Sequence, residues 1–597
     1  MKLQQFVGTF LVALSGLFPI SLSAQAGPDS HVPKGLYTNF LLRDAVNQAQ
    51  QAASSVNPAL PDYPNPAADA ILVNYFMVLL DNPAVSGLAP MMTLQLLNPN
   101  NPAHPETGPA YIWNPLDDVF TAVDKWNTSH PFLPRKTIQI INSSGFDAPQ
   151  WVFNDIDNSV CGLNNPTCTG SCDGLFMSPE SVPAPPPQCG YTTIFWATEG
   201  GPPRQIPLPM PWNSIYKADH QAYVTALYQH ILQEPSSDAF VSITMSGPTA
   251  SSAEMILPNL ENQSFGGNHG ILTLPNNVPT IANLNAADVW NKLINNYYGA
   301  SSGFANTDQP FIQEWNNTID VYSQIFSGVT LVLTTTSDAL PDFIDWNSTL
   351  PISSPAPGFE SDCGITNAVP LVQNNQQQCA AVTWVLYHFT NPTVGGNNAK
   401  SVFEAGMTAA RDGYDLGTNG IRWLAADTTA GLMPLQGTPY RMSRMLGGVQ
   451  FSHDFSPPDT LQSEGCPTFP MTTCGTTANP FTPAQGLGNV LQLSYFPGTA
   501  VGPIFGAPAS VNYGKWAYKD APVNFLEIYD TDILYSSGLS NCSMLLITGS
   551  PLNNMLPDLR SCPATPPLGG FASVLTSQVE LDLANLGILL IAEPAEP

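Results

Sequence analysis

Residues Asp219–Leu232 read DHQAYVTALYQHIL, and Phe240–Met245, seven residues further on, read FVSITM. The first stretch puts Tyr223, Leu227 and Ile231 at a spacing of four, which lays them along one face of a helix. The second is short, apolar and β-branched, as a buried strand is. A helix handed directly to a buried strand is the unit from which parallel sheets are built.

The same alternation extends in both directions. Leu116–Trp126 has helical spacing and leads to the strand Thr137–Ile141 (TIQII). Helices around Ala286–Tyr298 and Phe311–Phe326 lead to Thr330–Thr334 (TLVLT). Ala70–Met77 (AILVNYFM) and Leu88–Leu97 (LAPMMTLQLL) read as two buried strands. Ala380–Tyr387 (AAVTWVLY), Gly447–Ser452 (GGVQFS) and Val523–Tyr529 (VNFLEIY) supply three more. Eight strands between about residue 70 and residue 530 predict an α/β fold, a closed (β/α)8 TIM barrel over 67–545 with a C-terminal extension at 546–597. Residues 27–66, rich in Pro, Ala and Asn, read as an N-terminal leader on the surface. Long insertions between Gln150 and Trp212, Pro341 and Cys379, and Pro457 and Phe496 are expected on the loop face that shapes a cleft.

Lys2, the apolar run Phe6–Phe18 and the small residues Ala24 and Ala26 have the layout of a secretory signal peptide over 1–26, cleaved near Ala24 to Ala26. No Cys follows to take a lipid anchor, and no later stretch offers the roughly 18 uninterrupted apolar residues of a membrane span. The expected product is secreted or periplasmic, with no stable membrane anchor. Ten cysteines fit that compartment: Cys161, Cys168, Cys172 and Cys189 cluster, and Cys363/Cys379, Cys466/Cys474 and Cys542/Cys562 lie close in sequence. Local disulfides across the long loops are expected, with the connectivity of the first four left open. Paired C-x-x-C spacings, which a zinc site would favour, do not occur.

The chain carries 45 acidic and 17 basic side chains, a net charge of −28. That balance argues against a nucleic-acid partner, which selects for clustered Lys and Arg. Phosphate-loop, zincin, nucleophile-elbow and dinucleotide-binding signatures do not occur. Neither a metal nor a redox cofactor is implied. What remains is carboxylate chemistry. Only 14 Glu occur in the chain. Glu254 lies in a small-residue loop that leaves the strand FVSITM. Glu527 sits inside the apolar strand VNFLEIY, where a carboxylate is costly unless it faces a polar cavity. Two such groups on different strands are what glycosidic-bond cleavage requires. Each also has a plainer reading, Glu254 as a cap of the next helix and Glu527 as a buried structural partner.

The run Tyr111-Ile112-Trp113-Asn114-Pro115-Leu116-Asp117-Asp118, the strand Ile138–Ile141 leading to Gly145-Phe146-Asp147-Ala148-Pro149-Gln150-Trp151, and the later Pro209-Met210-Pro211-Trp212 through SITMSG to Glu254 resemble secreted (β/α)8 glycoside hydrolases of the clan that includes β-galactosidases and cellulases. The resemblance implies a retaining glycosidase acting on a carbohydrate, with the acid/base at the end of strand four, where Glu254 falls. Ala253 stands where that clan has an Asn before this Glu. The nucleophile is expected on strand seven, yet the seventh predicted strand carries Gln450 and Asp454, and Glu527 is on the eighth. Either the strand count is shifted by one and Glu527 is the nucleophile, or the chain is a divergent member that binds carbohydrate, or meets another surface, without hydrolysis. Sugar rings stack on flat aromatic faces while their hydroxyls need polar partners. Trp113, Trp151, Trp212, Trp384, Tyr387 and Tyr529 are the candidate platforms, with His388, Gln450, His453 and Asp454 as polar contacts; for each Trp a core position is as good a reading.

Overall fold

The computed structural model describes most of residues 33–247 and 286–335, the strands at 402–407, 446–451 and 523–529 with Asp530, and residues 533–534. Eight parallel strands form the main sheet: β1 Gly35–Leu41, β2 Val85–Thr93, β3 Thr137–Ser143, β6 Phe240–Thr244, β7 Thr330–Thr335, β8 Val402–Met407, β9 Leu446–Phe451 and β10 Val523–Tyr529. A separate antiparallel hairpin pairs β4 Tyr191–Trp196 with β5 Arg204–Pro209. In the main sheet the order is β1-β10-β9-β8-β7-β6-β3-β2, and β1 pairs with both β10 and β2, so the ladder returns on itself as a closed barrel.

Helices occupy the connections after the first four barrel strands. α1 Leu42–Val56 and α2 Pro66–Asp81 lie between β1 and β2, and α3 Asn114–Ser129 lies between β2 and β3. α4 Gln150–Cys161 and α5 Ser214–Ile231 flank the hairpin between β3 and β6, and α6 Ala286–Tyr298 and α7 Gln309–Ile325 precede β7. No helix among the described residues is long and apolar enough to cross a membrane.

Two expectations give way here. The run AILVNYFM is the middle of helix α2 and not a strand. A continuous apolar run of this length cannot be assigned by periodicity alone. Asn65-Pro66 settles it: the Asn65 side chain accepts from the amides of Ala67 and Ala68, and Pro66 opens the helix without losing a hydrogen bond. The proposed surface leader holds β1, a fully paired barrel strand, followed by α1, which buries Leu42, Ala45, Val46, Ala49 and Ala53 at helical spacing. The polar Thr38 and Asn39 inside this seven-residue strand break its apolar pattern. Within Leu88–Leu97 the strand ends at Thr93, whose hydroxyl accepts from the Leu96 amide and turns the chain into one helical turn, Leu94–Leu97. The segment Ala380–Tyr387 lies outside the described residues, and Val402–Met407 is a barrel strand the sequence pattern does not single out. The barrel thus keeps eight strands with a changed membership.

Strand alternation sorts the buried side chains into two layers. Leu36, Phe40, Leu88, Ile138, Ile140, Ile243, Leu331 and Leu333 pack outward under the helices in the main core. Tyr37, Ala89, Met91, Ile141, Val241, Val332 and Phe525 form a separate cluster inside the ring. Gly87 belongs to this inner architecture: a Cβ there would lie 2.2 Å from the Thr137 carbonyl oxygen and 2.8 Å from the Tyr37 ring. Its absence lets the Tyr37 hydroxyl reach Thr137 Oγ1 at 2.7 Å.

The insertion after β3 is covalently stapled. Cys161 pairs with Cys168 and Cys172 with Cys189. Two disulfides fit an oxidising compartment. The other six cysteines lie outside the described residues.

Candidate functional site

Glu527, on β10, is fully buried inside the ring, where Gln139 Nε2 of β3 donates to its Oε1 at 2.5 Å. It is in register with Tyr37 of β1 on one side and Gln450 of β9 on the other. Burial pushes the Tyr37 phenol up to about 12, and the Glu527 charge acts in the same direction. The phenol is therefore a neutral wall of the site.

Around this pair the strands present further polar groups with no hydrogen-bond partner. Asn39 Oδ1 and Nδ2, Gln139 Oε1, Ser242 Oγ and Thr244 Oγ1 are all without one, and all four residues are completely buried. Each such atom costs on the order of 1–3 kcal/mol. A fold tolerates that cost where the groups have another task, most often a ligand or ordered water. Ser242 is in register with Gln139, Thr244 with Ile141 and Val332, and Asn39 with Tyr529. Thr244 and Tyr529 are the last residues of their strands, so the polar lining runs from Glu527 toward the C-terminal mouth of the barrel. That end of a parallel barrel is where strands and their following loops meet at one cleft.

The end of β6, from which the Glu254 segment departs, is held from outside the ring. Ser144 Oγ and Ser246 Oγ lie 2.5 Å apart, and Tyr322 OH of α7 accepts from Asn142 Nδ2 at 2.7 Å and from the Ser246 amide at 3.3 Å. Tyr223 of α5 donates to Asn142 Oδ1 at 3.2 Å. His220 sits among the rings of Tyr216, Tyr223 and Tyr322 at centroid distances of 6.0–6.3 Å. Burial lowers its pKa to about 4, so its imidazole is neutral at ordinary pH.

Of the residues singled out from sequence, the fold brings Glu527, Gln450 and Tyr529 to neighbouring positions on β9 and β10. Val523–Tyr529 is the eighth barrel strand in chain order and Leu446–Phe451 the seventh, so a count shifted by one does not explain the position of Glu527. Three of the four candidate tryptophans go elsewhere. Trp212 is buried against Trp290, Tyr297, Tyr298 and Phe311 in the main core. Trp151 is buried in the same core, with its Nε1 donating to the Asn98 carbonyl at 3.0 Å. Trp113 is half-buried and already stacked on Tyr111 at 4.9 Å and on His230 at 4.7 Å. Apolar area alone takes these rings into helix packing instead of a ligand cleft. Glu254, Trp384, Tyr387, His388, His453 and Asp454 lie outside the described residues.

Gln139, Asn39, Ser242 and Thr244 are absent from the sequence-derived set. A signal for them exists in TIQII, GLYTNFL and FVSIT, where single polar residues interrupt strands that are otherwise apolar. Asp117, His230 and Glu234 form a second polar constellation on the helical layer: His230 Nε2 lies 2.6 Å from Asp117 Oδ1 and 3.4 Å from Glu234 Oε1. Burial, followed by the Asp117 charge, raises the pKa of Glu234.

These features define an α/β protein whose parallel barrel carries a buried carboxylate in a polar interior. No family model and no curated protein matches the chain. Among solved structures it is similar to the catalytic domain of beta-amylase from Paenibacillus polymyxa, with a TM-score of 0.31 and 10% identity over 72% of this chain and 89% of that one. Likeness at that level carries no argument about activity, which rests on the residues themselves.

Proposed function

We propose that the protein is an exported glycoside hydrolase that cleaves O-glycosidic bonds with two carboxylates. The observation that carries this reading is the fully buried Glu527, hydrogen-bonded to Gln139 and surrounded by unpartnered amide and hydroxyl groups that lead to the barrel mouth. Such a lining suits a neutral, polyhydroxylated ligand, whose hydroxyls both donate and accept. In this mechanism Glu254 protonates the departing glycosidic oxygen and then deprotonates water, while Glu527 attacks the anomeric carbon. Retention of configuration requires the two carboxyl groups about 5–5.5 Å apart. Gln139 donates to Glu527 Oε1, which fixes the orientation of the carboxyl group. Signal-peptide cleavage near Ala24 to Ala26 belongs to the same proposal, and the two disulfides support export.

A second reading, a barrel that binds carbohydrate without cleaving it, is favoured by one observation: Glu527 is on strand eight, and strand seven carries Gln450 at the adjacent register position. Aryl-glycoside and polysaccharide hydrolysis by the mature protein, compared with Glu254→Gln and Glu527→Gln, separates the two. The enzyme reading expects turnover that falls by about three orders of magnitude in either variant. Glycan binding with no turnover, unchanged in Glu527→Gln, supports the binding protein and ends the enzyme reading.

A further inference from the structure

We propose that Asp117, His230 and Glu234 hold a divalent cation of the zinc class where α3 meets the C-terminal end of α5. One ligand atom from each of these residues lies within 4.8 Å of the other two. The geometry does not close as a simple ion pair. A ring nitrogen carries at most one hydrogen, yet His230 Nε2 faces Asp117 Oδ1 at 2.6 Å and Glu234 Oε1 at 3.4 Å.

A second observation lies one residue along α3. Asp118 is 8% exposed, and its Oδ2 has no hydrogen-bond partner. Asp69 Oδ1, from α2, is likewise buried and unpartnered. A divalent ion bound beside Asp117 would offset these buried acidic oxygens.

The imidazole is held for ligation. His230 stacks on Trp113 with an interplanar angle of 12°, and Trp113 stacks on Tyr111 at 10°. That stack fixes the ring plane. One imidazole nitrogen and two carboxylate oxygens, with solvent completing the shell, form a mixed N/O set that suits zinc and its first-row neighbours better than calcium, which prefers oxygen alone. Because Asp117 is on α3 and His230 on α5, the ion would tie together the helices that precede β3 and β6. Its role is structural and is independent of the glycosidase proposal.

The test uses the mature, tag-free chain, chelator-treated without reductant and then titrated with zinc, cobalt(II) or calcium chloride. Expected are one tightly bound zinc per chain, a rise in Tm with zinc, and visible cobalt(II) absorption bands that saturate at one equivalent. His230→Gln and Glu234→Gln should lose the cobalt bands and weaken zinc binding by about 100-fold or more. Circular dichroism identifies variants that still fold, and native Tm without zinc supplies the comparison for each. Equal zinc affinity in wild type and both variants overturns the proposal, as does the absence of saturable binding. Calcium bound as tightly in His230→Gln as in wild type also overturns it and points instead to an oxygen-only site beside Asp69 and Asp118.

Discussion

Gln139 Nε2 donates to Glu527 Oε1 at 2.5 Å, although the two residues are 388 positions apart and their strands are three steps apart around the ring. This is a long-range contact inside the barrel. Replacing Gln139 with Leu leaves the buried carboxylate without this donor. We expect a loss of about 2–4 kcal/mol, because one partner of a buried charged hydrogen bond is removed while the other stays. Adding Glu527→Leu should recover part of that loss, so the double variant is less destabilised than the sum of the singles. Denaturant unfolding of all four proteins checks this, and strict additivity would show that the two side chains do not interact.

The His220 environment gives a pH dependence with a defined sign. The unfolded imidazole titrates near 6.5, whereas burial lowers the native value to about 4. Between these values the unfolded chain binds a proton that the native chain does not, so stability falls as pH drops through that window. Above about pH 6.5 the group contributes no slope. The groups facing it are the neutral phenols of Tyr216, Tyr223 and Tyr322. His220→Gln should flatten the stability profile from pH 6.5 to pH 4 by on the order of 2 kcal/mol relative to wild type. Parallel profiles for the two proteins would exclude His220 as a source of the acid sensitivity.

How far the sequence discloses this molecule depends on which physical signal each element carries. α5 and β6 are legible because Tyr223, Leu227 and Ile231 repeat at helical spacing and FVSIT is short and β-branched. α2 is not, because its core-facing and neighbour-facing positions are both apolar, so no period survives and only the Asn65 cap distinguishes it. β1 is hidden by the opposite effect: its inward Tyr37 and Asn39 are polar, which dilutes the apolar pattern of Leu36 and Phe40. The site divides in the same way. Glu527 stands out as a charge inside an apolar strand, whereas Asn39, Gln139, Ser242 and Thr244 become a group only when eight strands close. Trp151 and Trp212 mislead because a large ring satisfies core packing and ligand stacking equally well until its neighbours are known.

The insertion after β3 depends on its staples. Cys172 and Cys189 join segments 17 residues apart, on either side of the residues that lead into β4. Replacing both with Ser should cost about 3 kcal/mol through the entropy of the freed loop. The shorter bridge, Cys161–Cys168, spans 7 residues and should cost less. Thermal unfolding of the two double-Ser variants orders them, and a larger loss from the Cys161–Cys168 pair would contradict a loop-entropy origin.

Gly87 offers the sharpest test of the inner packing. A methyl group at this position meets the Thr137 carbonyl at 2.2 Å and the Tyr37 ring at 2.8 Å. The ring can swing away, but the carbonyl belongs to β3, which is hydrogen-bonded to β2 along its length. Relief therefore requires the two strands to part. Gly87→Ala should destabilise by about 3 kcal/mol, near the upper end for overpacking, and should weaken the Tyr37–Thr137 hydrogen bond at the same time. Tyr37→Phe alone removes that bond and leaves the strands in place, with an expected loss of about 1 kcal/mol. Combining Gly87→Ala with Tyr37→Ala clears the ring and not the carbonyl, so most of the Gly87→Ala effect should persist over Tyr37→Ala. If unfolding measurements show that Tyr37→Ala relieves the whole cost, the close approach of β2 to β3 is not what excludes a side chain at position 87.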